Sequence, residues 1–177
     1  MTAETISHAF ERVRTLLTSR PEAGIHADTP ATARWARDLH VTCHDEHGEQ
    51  IATDMPVTLG GTGERVTPGW LMRAGLASCV VTRIAMAAIA EGIEITRLEV
   101  LATSTSDARG IFGMTSEAGE AISPGPLQVR LEVRIGARGA TREQVRALIE
   151  ESYRCSPVSA ALENEVPVAV HIEIDAP

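Results

Sequence analysis

One segment, residues 69–91, is apolar or small at nearly every position, and it constrains the fold more than any other part of the 177-residue chain. It ends at Gly92, and the Thr-Pro pair at 67–68 suits the cap and first turn of a helix. Arg73 and Arg83 interrupt the run, so it falls short of the about 20 apolar residues that a membrane-spanning helix needs. A helix that is apolar on most sides is normally buried. We therefore expect a central helix with other elements packed around it.

Stretches in which apolar and polar residues alternate flank this helix. The clearest covers 127–135, where Leu127, Val129 and Leu131 alternate with polar residues. A period of two is typical of a strand with one face in solvent, and the capping-box sequence at 141–144 begins a second helix. We predict an α+β fold in which antiparallel sheets wrap around the buried central helix. Strands are expected over residues 31–36, 39–43, 51–57, 95–106, 127–135 and 166–174.

The first 30 residues are expected to stand apart from this domain. Residues 3–18 place apolar side chains at helical spacing between charges, which predicts an amphipathic helix. Residues 19–30 are rich in turn-forming residues and are typical of a linker. The chain thus divides into an N-terminal helix and linker over 1–30 and a main domain over 31–177. The helix is expected to pack on the main domain or on a partner subunit.

Composition and charge exclude several kinds of partner. The formal net charge is −8 and aromatic residues make up only 3% of the chain. A negative surface repels phosphate backbones, so nucleic acid is not expected as a partner. The N-terminus lacks the continuous apolar core of a signal peptide, and three cysteines are too few for a disulfide framework. We expect a cytoplasmic protein with free thiols and no membrane association.

The sequence contains no recognisable motif for a phosphate, a metal or an organic cofactor. Residues 59–63 are glycine-rich and are predicted to form a flexible loop, but no Lys-Ser/Thr follows them as in a phosphate-binding loop. His40, His44 and His47 lie on a strand and a polar turn without the spacing of a structural zinc site. A solvated turn explains them better, and neither a metal nor a cofactor is expected.

Two of the three cysteines are candidates for chemistry, whereas Cys43 continues the alternation of a strand and is expected in the core. Cys79 lies too deep in the central helix for the helix end to acidify it, so a reactive thiolate there needs a nearby cation. Arg83 follows four residues later on the same face, and helical side chains lean towards the N-terminus, which brings its guanidinium within reach of the sulfur. Alternatively, Cys79 is an inert core residue and Arg83 extends to solvent. Cys155 precedes Pro157, where a helix has to end, and the same two alternatives apply to its thiol.

Four short motifs lie in order along most of the main domain. They are residues 31–38, residues 59–61 followed by the Thr-Pro pair at 67–68, Ala-Ser-Cys at 77–79, and Ser-Pro-Val-Ser at 156–159. In this order and spacing they resemble the OsmC-like superfamily, which includes the organic hydroperoxide resistance proteins. The first is similar to the family's first strand and its Gly-Gly-Arg-Asp turn, and the second to the approach to its central helix. Ala-Ser-Cys matches the cysteine of that helix, and Ser-Pro-Val-Ser matches the family's Cys-Pro-Val-Ser after the second helix.

The resemblance implies a thiol peroxidase that forms an intertwined homodimer, with the two central helices side by side. In active members the helix cysteine, here Cys79, attacks the peroxide and becomes a sulfenic acid, which a second cysteine resolves. A thiol reductant, a dihydrolipoyl group in the best-known branch, restores the pair. An arginine of the first-strand region, here Arg37, holds the thiolate. The apolar surroundings of the helix favour organic hydroperoxides as substrates.

This sequence departs from the family pattern at two places. Gly69 and Trp70 stand where the family has a glutamate that orients the arginine. Ser156 stands in the place of the resolving cysteine, with Cys155 one residue earlier. One residue rotates a helical side chain by about 100°, so Cys155 points away from Cys79 unless the helix end unwinds locally.

Three functions remain open from the sequence. The first is a hydroperoxide reductase, active in oxidative-stress defence, with Cys79 as nucleophile, Arg37 or Arg83 as cation and Cys155 as resolving thiol. The second is a one-cysteine variant in which an external thiol resolves Cys79. The third, suggested by the missing glutamate and the bulky Trp70, is a non-catalytic dimer that binds a small apolar ligand or senses redox state.

Overall fold

The structure is a computed structural model that describes residues 2–175. Four α-helices and five strands account for most of these residues. Short 3-10 helices lie at Pro21–Gly24, Val57–Leu59 and Ala108–Phe112. The helices and strands are, in chain order, α1 (Ala3–Ser19), β1 (Thr32–Arg37), β2 (His40–His44), β3 (Gln50–Thr53), α2 (Pro68–Glu91), β4 (Glu94–Ser106), β5 (Pro126–Arg138), α3 (Arg142–Arg154) and α4 (Pro157–Glu163).

The long helix α2 has the ends that the sequence predicts. Thr67 caps it by accepting a hydrogen bond from the Trp70 N–H, and Pro68 occupies its first turn, where no N–H is needed. Gly92 ends it in the left-handed conformation at φ 68°, which favours glycine. The expectation of a long central helix is confirmed.

The core lies between α2 and one antiparallel hairpin. Strands β4 and β5 pair over nearly their whole length, and their apolar faces pack on α2. Helices α3 and α4 cover α2 from another side. The fully buried apolar residues are Leu76, Val80, Ile84, Ala88 and Leu148. This arrangement is the α+β fold that the pattern predicts. The expected wrapping of sheets around a buried helix is not complete within the single chain, because only the β4–β5 sheet packs extensively on α2.

The second sheet, formed by β1, β2 and β3, is barely covered. Its three strands pair antiparallel in chain order, and its extensive contacts lie within the sheet itself. Every residue of β1 is exposed, and the Trp35 side chain is 72% exposed. A sheet with an apolar face needs a surface to bury it against, so this sheet is incomplete in the single chain.

Helix α2 also has an uncovered face. Gly75, Ser78 and Thr82 recur at helical spacing and are all exposed. Among residues 2–175, α2 is the one helix long and apolar enough to cross a membrane, a criterion that core helices of soluble proteins also meet. Only 22% of its 18-residue apolar window is buried within the single chain. Much of α2 is therefore left for another surface to cover.

The strand predicted over 166–174 is not formed, and that prediction is wrong for the single chain. Residues 165–175 have no regular structure. The five apolar residues of the alternating pattern, from Val166 to Ile174, are 59–88% exposed. Alternation describes the two faces of a strand, but a strand also needs an unpaired edge beside it, and this segment does not lie along one.

Candidate functional site

Cys79 lies midway along α2, at the border between its core face and its uncovered face. Leu76, one turn before it, and Val80, next to it, are buried in the core. Gly75 and Ser78 on its other side are exposed. The Cys79 thiol is itself half-buried and free. A thiol in this position lies next to core residues along the helix and is open to whatever covers the second face of the helix.

Arg83 shares this part of α2, and its guanidinium contacts Met86. Its Nη1 lies 3.9 Å from the sulfur of Met86, towards the C-terminal end of the helix. Its Nε is buried and has no partner among the described residues. The hydrogen bonds of residues 2–175 do not join Arg83 to Cys79, so the contact predicted between them remains a prediction.

Arg37 is the last residue of β1 and is exposed at the β1–β2 turn. The turn is fixed locally, because Asp38 adopts a positive φ of 45° and its carbonyl accepts a 2.9 Å hydrogen bond from the Trp35 indole. Since this sheet packs mainly on itself, the single chain does not bring Arg37 onto α2.

Cys155 and Ser156 point in opposite directions at the end of α3. Cys155 is exposed, and its thiol donates a 3.2 Å hydrogen bond to the carboxylate of Glu151, which also pairs with Arg154. Ser156 is fully buried and caps α4 by accepting from the Ser159 N–H. The helix end thus turns the serine inwards and the cysteine outwards, with no unwinding that would reverse them.

Three buried hydroxyls, which we call the serine cluster, follow one face of α3 and α4. Ser152 and Ser156 are 0% exposed and Ser159 is 2% exposed. The hydroxyls of Ser152 and Ser159 have no hydrogen-bond partner among the described residues. An unpaired buried hydroxyl costs about 1–3 kcal/mol. Sequence reasoning missed this cluster, although the spacing of its members at four and three residues was a usable signal.

A cavity of about 780 Å³ opens between α2, β5, α3 and α4. Its wall is mostly apolar and includes Leu76 and Val80 of α2, and Ser159 also lines it. At its rim the hydroxyl of Tyr153 donates to Glu163, which raises the pKa of that hydroxyl. The cavity therefore adjoins the stretch of α2 that carries Cys79.

The glycine-rich loop before α2 is fixed by one buried carboxylate rather than flexible. Asp54 accepts hydrogen bonds from the N–H groups of Met55, Thr62 and Gly63 and from the Thr62 hydroxyl, at 2.7–2.9 Å. At Gly61 a Cβ would stand 1.8 Å from the Met55 carbonyl oxygen, so only glycine fits there. The expectation of a flexible loop at 59–63 is corrected, because sequence alone does not show which side chain gathers these donors.

The environment of Asp54 strongly favours its ionised form. The Thr62 hydroxyl is the largest cause, the Met55 and Thr62 N–H groups and His40 add to it, and together they lower the pKa of Asp54 to about 2 despite burial. His40 Nε2 lies 3.7 Å from the carboxylate.

Among residues 2–175 no three His, Cys, Asp or Glu side chains are grouped as metal ligands.

The low pKa of Asp54 predicts acid sensitivity of folding. Because the folded-state pKa lies below the ordinary value of 3.8, the carboxylate stabilises the fold above about pH 4, and this stability is lost as the pH falls towards 2. Asp54→Asn, which turns an amide N–H₂ towards N–H donors, is expected to lower the Tm by several degrees at pH 7 and to flatten its dependence on pH between 5 and 2. Thermal unfolding across this range measures both effects. Asp28→Asn is the control, since that side chain is 96% exposed; an equal effect of the two variants would contradict the assignment.

Comparison with known proteins gives this fold a family. A family model described as OsmC-like protein matches residues 61–171. An OsmC-like protein from Mycoplasma pneumoniae has the same fold, with 19% identity and a TM-score of 0.65 over 78% of this chain and 89% of that one. The organic hydroperoxide resistance protein OsmC from Legionella pneumophila is 23% identical, with a TM-score of 0.52 over 78% of this chain and 90% of that one.

An organic hydroperoxide resistance protein from Elizabethkingia anophelis is 20% identical, with a TM-score of 0.55 over 77% of this chain and 89% of that one. Among curated proteins, none matches this sequence. The structural likenesses show the fold, and the family model covers well over half of the residues. The chain belongs to the OsmC-like protein family.

Proposed function

We propose that this protein is a thiol-dependent hydroperoxide reductase that acts on organic hydroperoxides through Cys79. The observation that carries the proposal is the position of Cys79, half-buried at the midpoint of the central helix of an OsmC-like fold and open towards its uncovered face. Proteins of this fold from Legionella pneumophila and Elizabethkingia anophelis are described as organic hydroperoxide resistance proteins. The apolar surroundings of α2 suit an organic rather than a small polar peroxide.

The chemistry of the first step needs only the thiolate and a proton donor. The Cys79 sulfur attacks the terminal oxygen of the hydroperoxide, the S–O bond forms as the O–O bond breaks, and the departing alkoxide takes a proton and leaves as the alcohol. Sulfur is oxidised by two electrons and the peroxide is reduced by two. The product on the protein is the Cys79 sulfenic acid.

An external thiol resolves this intermediate in the proposed cycle. The exposed Cys155 hydrogen-bonds to Glu151, while Ser156 occupies the inward position, so the chain itself presents no thiol at that place. A reductant thiol attacks the sulfenic sulfur and water leaves, and a second thiol cleaves the mixed disulfide and regenerates Cys79. A dithiol such as a dihydrolipoyl group supplies both thiols. A cytoplasmic location would keep such thiols reduced.

The active form in this proposal is a homodimer. The β1–β3 sheet and the face of α2 marked by Gly75, Ser78 and Thr82 are both uncovered in the single chain. A second copy would cover both by laying the two α2 helices together, since small residues allow close approach. The same association would carry Arg37 of one copy towards Cys79 of the other. We take Arg37 as the cation, because Arg83 extends to Met86.

Turnover of an organic hydroperoxide tests the proposal. Reduced protein with dihydrolipoate is expected to consume cumene hydroperoxide catalytically, and Cys79→Ser is expected to lower the rate by at least about 10³-fold, because an alcohol is a far weaker nucleophile than a thiolate. Cys43→Ser is the matched control, since Cys43 is also free and half-buried. If Cys79→Ser and the parent consume peroxide equally fast, the proposal is wrong.

The cavity supports a second candidate, the binding of a small apolar ligand without catalysis. Its volume of about 780 Å³ and its apolar wall are typical of ligand sites, and Cys79 does not line it. Binding of a fluorescent fatty acid that survives in Cys79→Ser, together with no peroxide turnover by the parent, would favour this function.

A further inference from the structure

The cavity between α2, β5, α3 and α4 lies beside an unpaired edge of the β4–β5 sheet. Among residues 2–175, β5 pairs with β4 alone. The cavity follows the other edge of β5, since β4 contributes no residue to its wall, and helices α3 and α4 form the wall opposite. The apolar side chains of β5 that line it are Leu127, Val129, Leu131 and Val133. The cavity therefore occupies the place that a further strand beside β5 would take.

Residues 165–175, which we call the arm, have the pattern and the length of such a strand. The arm has no regular structure in the single chain. At about 3.3 Å per residue, residues 166–174 extend over about 30 Å, enough to follow most of β5. Pro167 lies near the start of the arm, and strands at the edge of a sheet tolerate proline. Apolar residues stand at every second position of the arm and are 59–88% exposed: Val166, Val168, Val170, Ile172 and Ile174.

One register along β5 suits both faces of the arm. Strands that are connected through helices run parallel, and exchange of the arm between copies preserves this direction. With Val166 beside Leu127, each apolar residue of the arm lies beside an apolar residue of β5, and Glu173 lies beside Arg134. A shift of two residues towards the start of β5 would place Glu173 beside Glu132 instead. Opposite charges on neighbouring strands are favourable and like charges are not, so the first register is preferred.

The connection between α4 and the arm decides which β5 the arm can reach. Helix α4 ends at Glu163, which lines the cavity together with Leu162. Asn164 follows in an extended conformation, at φ −122° and ψ 152°, so the chain leaves the helix without a turn. The apolar residues of the arm consequently stay exposed in the single chain. A connection too short to fold back favours exchange of the element between two copies.

We propose that the arm of one copy pairs with β5 of a second copy and fills the cavity beside that strand. Each copy gives one arm and receives one, so the association is symmetric and closed. The exchange covers the unpaired edge of β5, which would otherwise be open to aggregation, and it removes five apolar side chains from water. The inference adds an element to the proposed homodimer and does not depend on the chemistry of Cys79.

Disulfide cross-linking between the arm and β5 tests the inference. The register places Ala169 beside Arg130, which is exposed on the polar face of β5. In a background with the three native cysteines replaced by serine, Ala169→Cys/Arg130→Cys is expected to form a covalent dimer on mild oxidation. Ala169→Cys/Thr103→Cys is the matched control and is expected to stay unlinked, because Thr103 pairs with Arg130 from the opposite side of β5. Non-reducing gels and peptide mapping identify the products.

Each outcome of the cross-linking decides one part of the inference. A covalent dimer joined between positions 169 and 130 supports the exchange. A monomer in which the same two positions are joined shows that the arm folds onto its own β5 and overturns the exchange. Absence of this disulfide overturns the pairing with β5, as expected if a small apolar ligand fills the cavity. Peroxide turnover plays no part in the measurement, so its failure leaves the proposed reductase untouched.

A charge placed on either face of the arm gives a second test. Val170→Asp would place a carboxylate inside the cavity of the second copy, and the dissociation constant of the dimer is expected to rise at least about tenfold, because burial of an unpaired charge is costly. Ala169→Asp, on the opposite face, is the control and is expected to keep the parent's constant. Sedimentation equilibrium measures both. The same dissociation constant for Val170→Asp and the parent would overturn the inference.

Both substitutions lie in a segment that is exposed and irregular in the single chain, so each variant is expected to fold.

Discussion

Replacing Ser156 by cysteine is expected to give a protein that closes an intramolecular disulfide with Cys79 when it is oxidised. Ser156 is fully buried at the start of α4, on the side of the chain that packs on α2, whereas Cys155 is turned out to Glu151. A sulfenic acid condenses readily with a thiol that can reach it. The variant is therefore expected to lose two free thiols per chain after one equivalent of hydroperoxide, while the parent loses one.

The matched control is Ser19→Cys on α1, which has as many thiols as Ser156→Cys but places the new one far from Ser156 in the sequence, and it is expected to behave like the parent. A second variant, Ser156→Cys combined with Cys155→Ser, lacks the native Cys155 thiol and is expected to close the disulfide as well as the single variant does. Peptide mapping under non-reducing conditions identifies the pair. A disulfide between Cys79 and Cys155 in the parent would contradict the account, because it would require the end of α3 to unwind. Loss of the serine cap is expected to reduce stability by about 1 kcal/mol, which leaves the variant folded.

Loss of the Arg37 guanidinium is expected to lower the rate of peroxide consumption by roughly 10²-fold, since a thiolate depends on a nearby cation. Arg34→Ala on the same exposed strand is the matched control and is expected to keep the parent's rate. Arg83→Ala is expected to have a smaller effect than Arg37→Ala, because its Nη1 contacts Met86. A large loss in Arg83→Ala with none in Arg37→Ala would reverse the assignment of the cation.

Mixed dimers show whether Arg37 acts across the subunit boundary. Arg37→Ala and Cys79→Ser chains are mixed in equal amounts, unfolded and refolded together. If association is random, about half of the dimers contain one chain of each kind. Each mixed dimer then has one site with both an intact thiol and an intact arginine, so about a quarter of the parent's activity is expected to return. If the arginine acted within its own chain, the mixture would remain as slow as Arg37→Ala alone, and that result would contradict the proposed action of Arg37 across the subunit boundary.

The parts of the fold that the sequence predicts well are those whose signal is local. Thr67, Pro68 and Gly92 specify where α2 begins and ends, and the alternation in 127–135 identifies β5 because one face packs on α2 and the other meets solvent. The outward direction of Cys155 also follows from a local rule, the rotation of one residue along a helix. The sequence also allows a locally unwound helix end that would turn Cys155 towards Cys79, and the buried position of Ser156 in the structure excludes that alternative.

The features that the sequence does not predict depend on contacts between distant segments. Asp54 fixes the loop before α2 because the N–H groups of Thr62 and Gly63 donate hydrogen bonds to its carboxylate. No local sequence pattern predicts these hydrogen bonds. The segment 166–174 has the alternation of a strand, but its pairing depends on an edge elsewhere. The roles of Cys79, Arg37, Arg83 and Cys155 stay predictions because they also depend on contacts between distant segments. In the single chain Arg37 lies on the β1–β3 sheet, which does not pack extensively on α2.

The fate of Cys79 after a single equivalent of organic hydroperoxide tests the central claim most directly. Reduced protein is mixed with cumene hydroperoxide in the absence of any other thiol, the sulfenic acid is trapped with dimedone, and the modified residue is located by peptide mass mapping. The account predicts one equivalent of alcohol released per chain and one trapped sulfenic acid, at Cys79, with Cys43 and Cys155 unmodified. Peroxide left intact, or oxidation spread over the exposed Cys155 while Cys79 stays reduced, would contradict it.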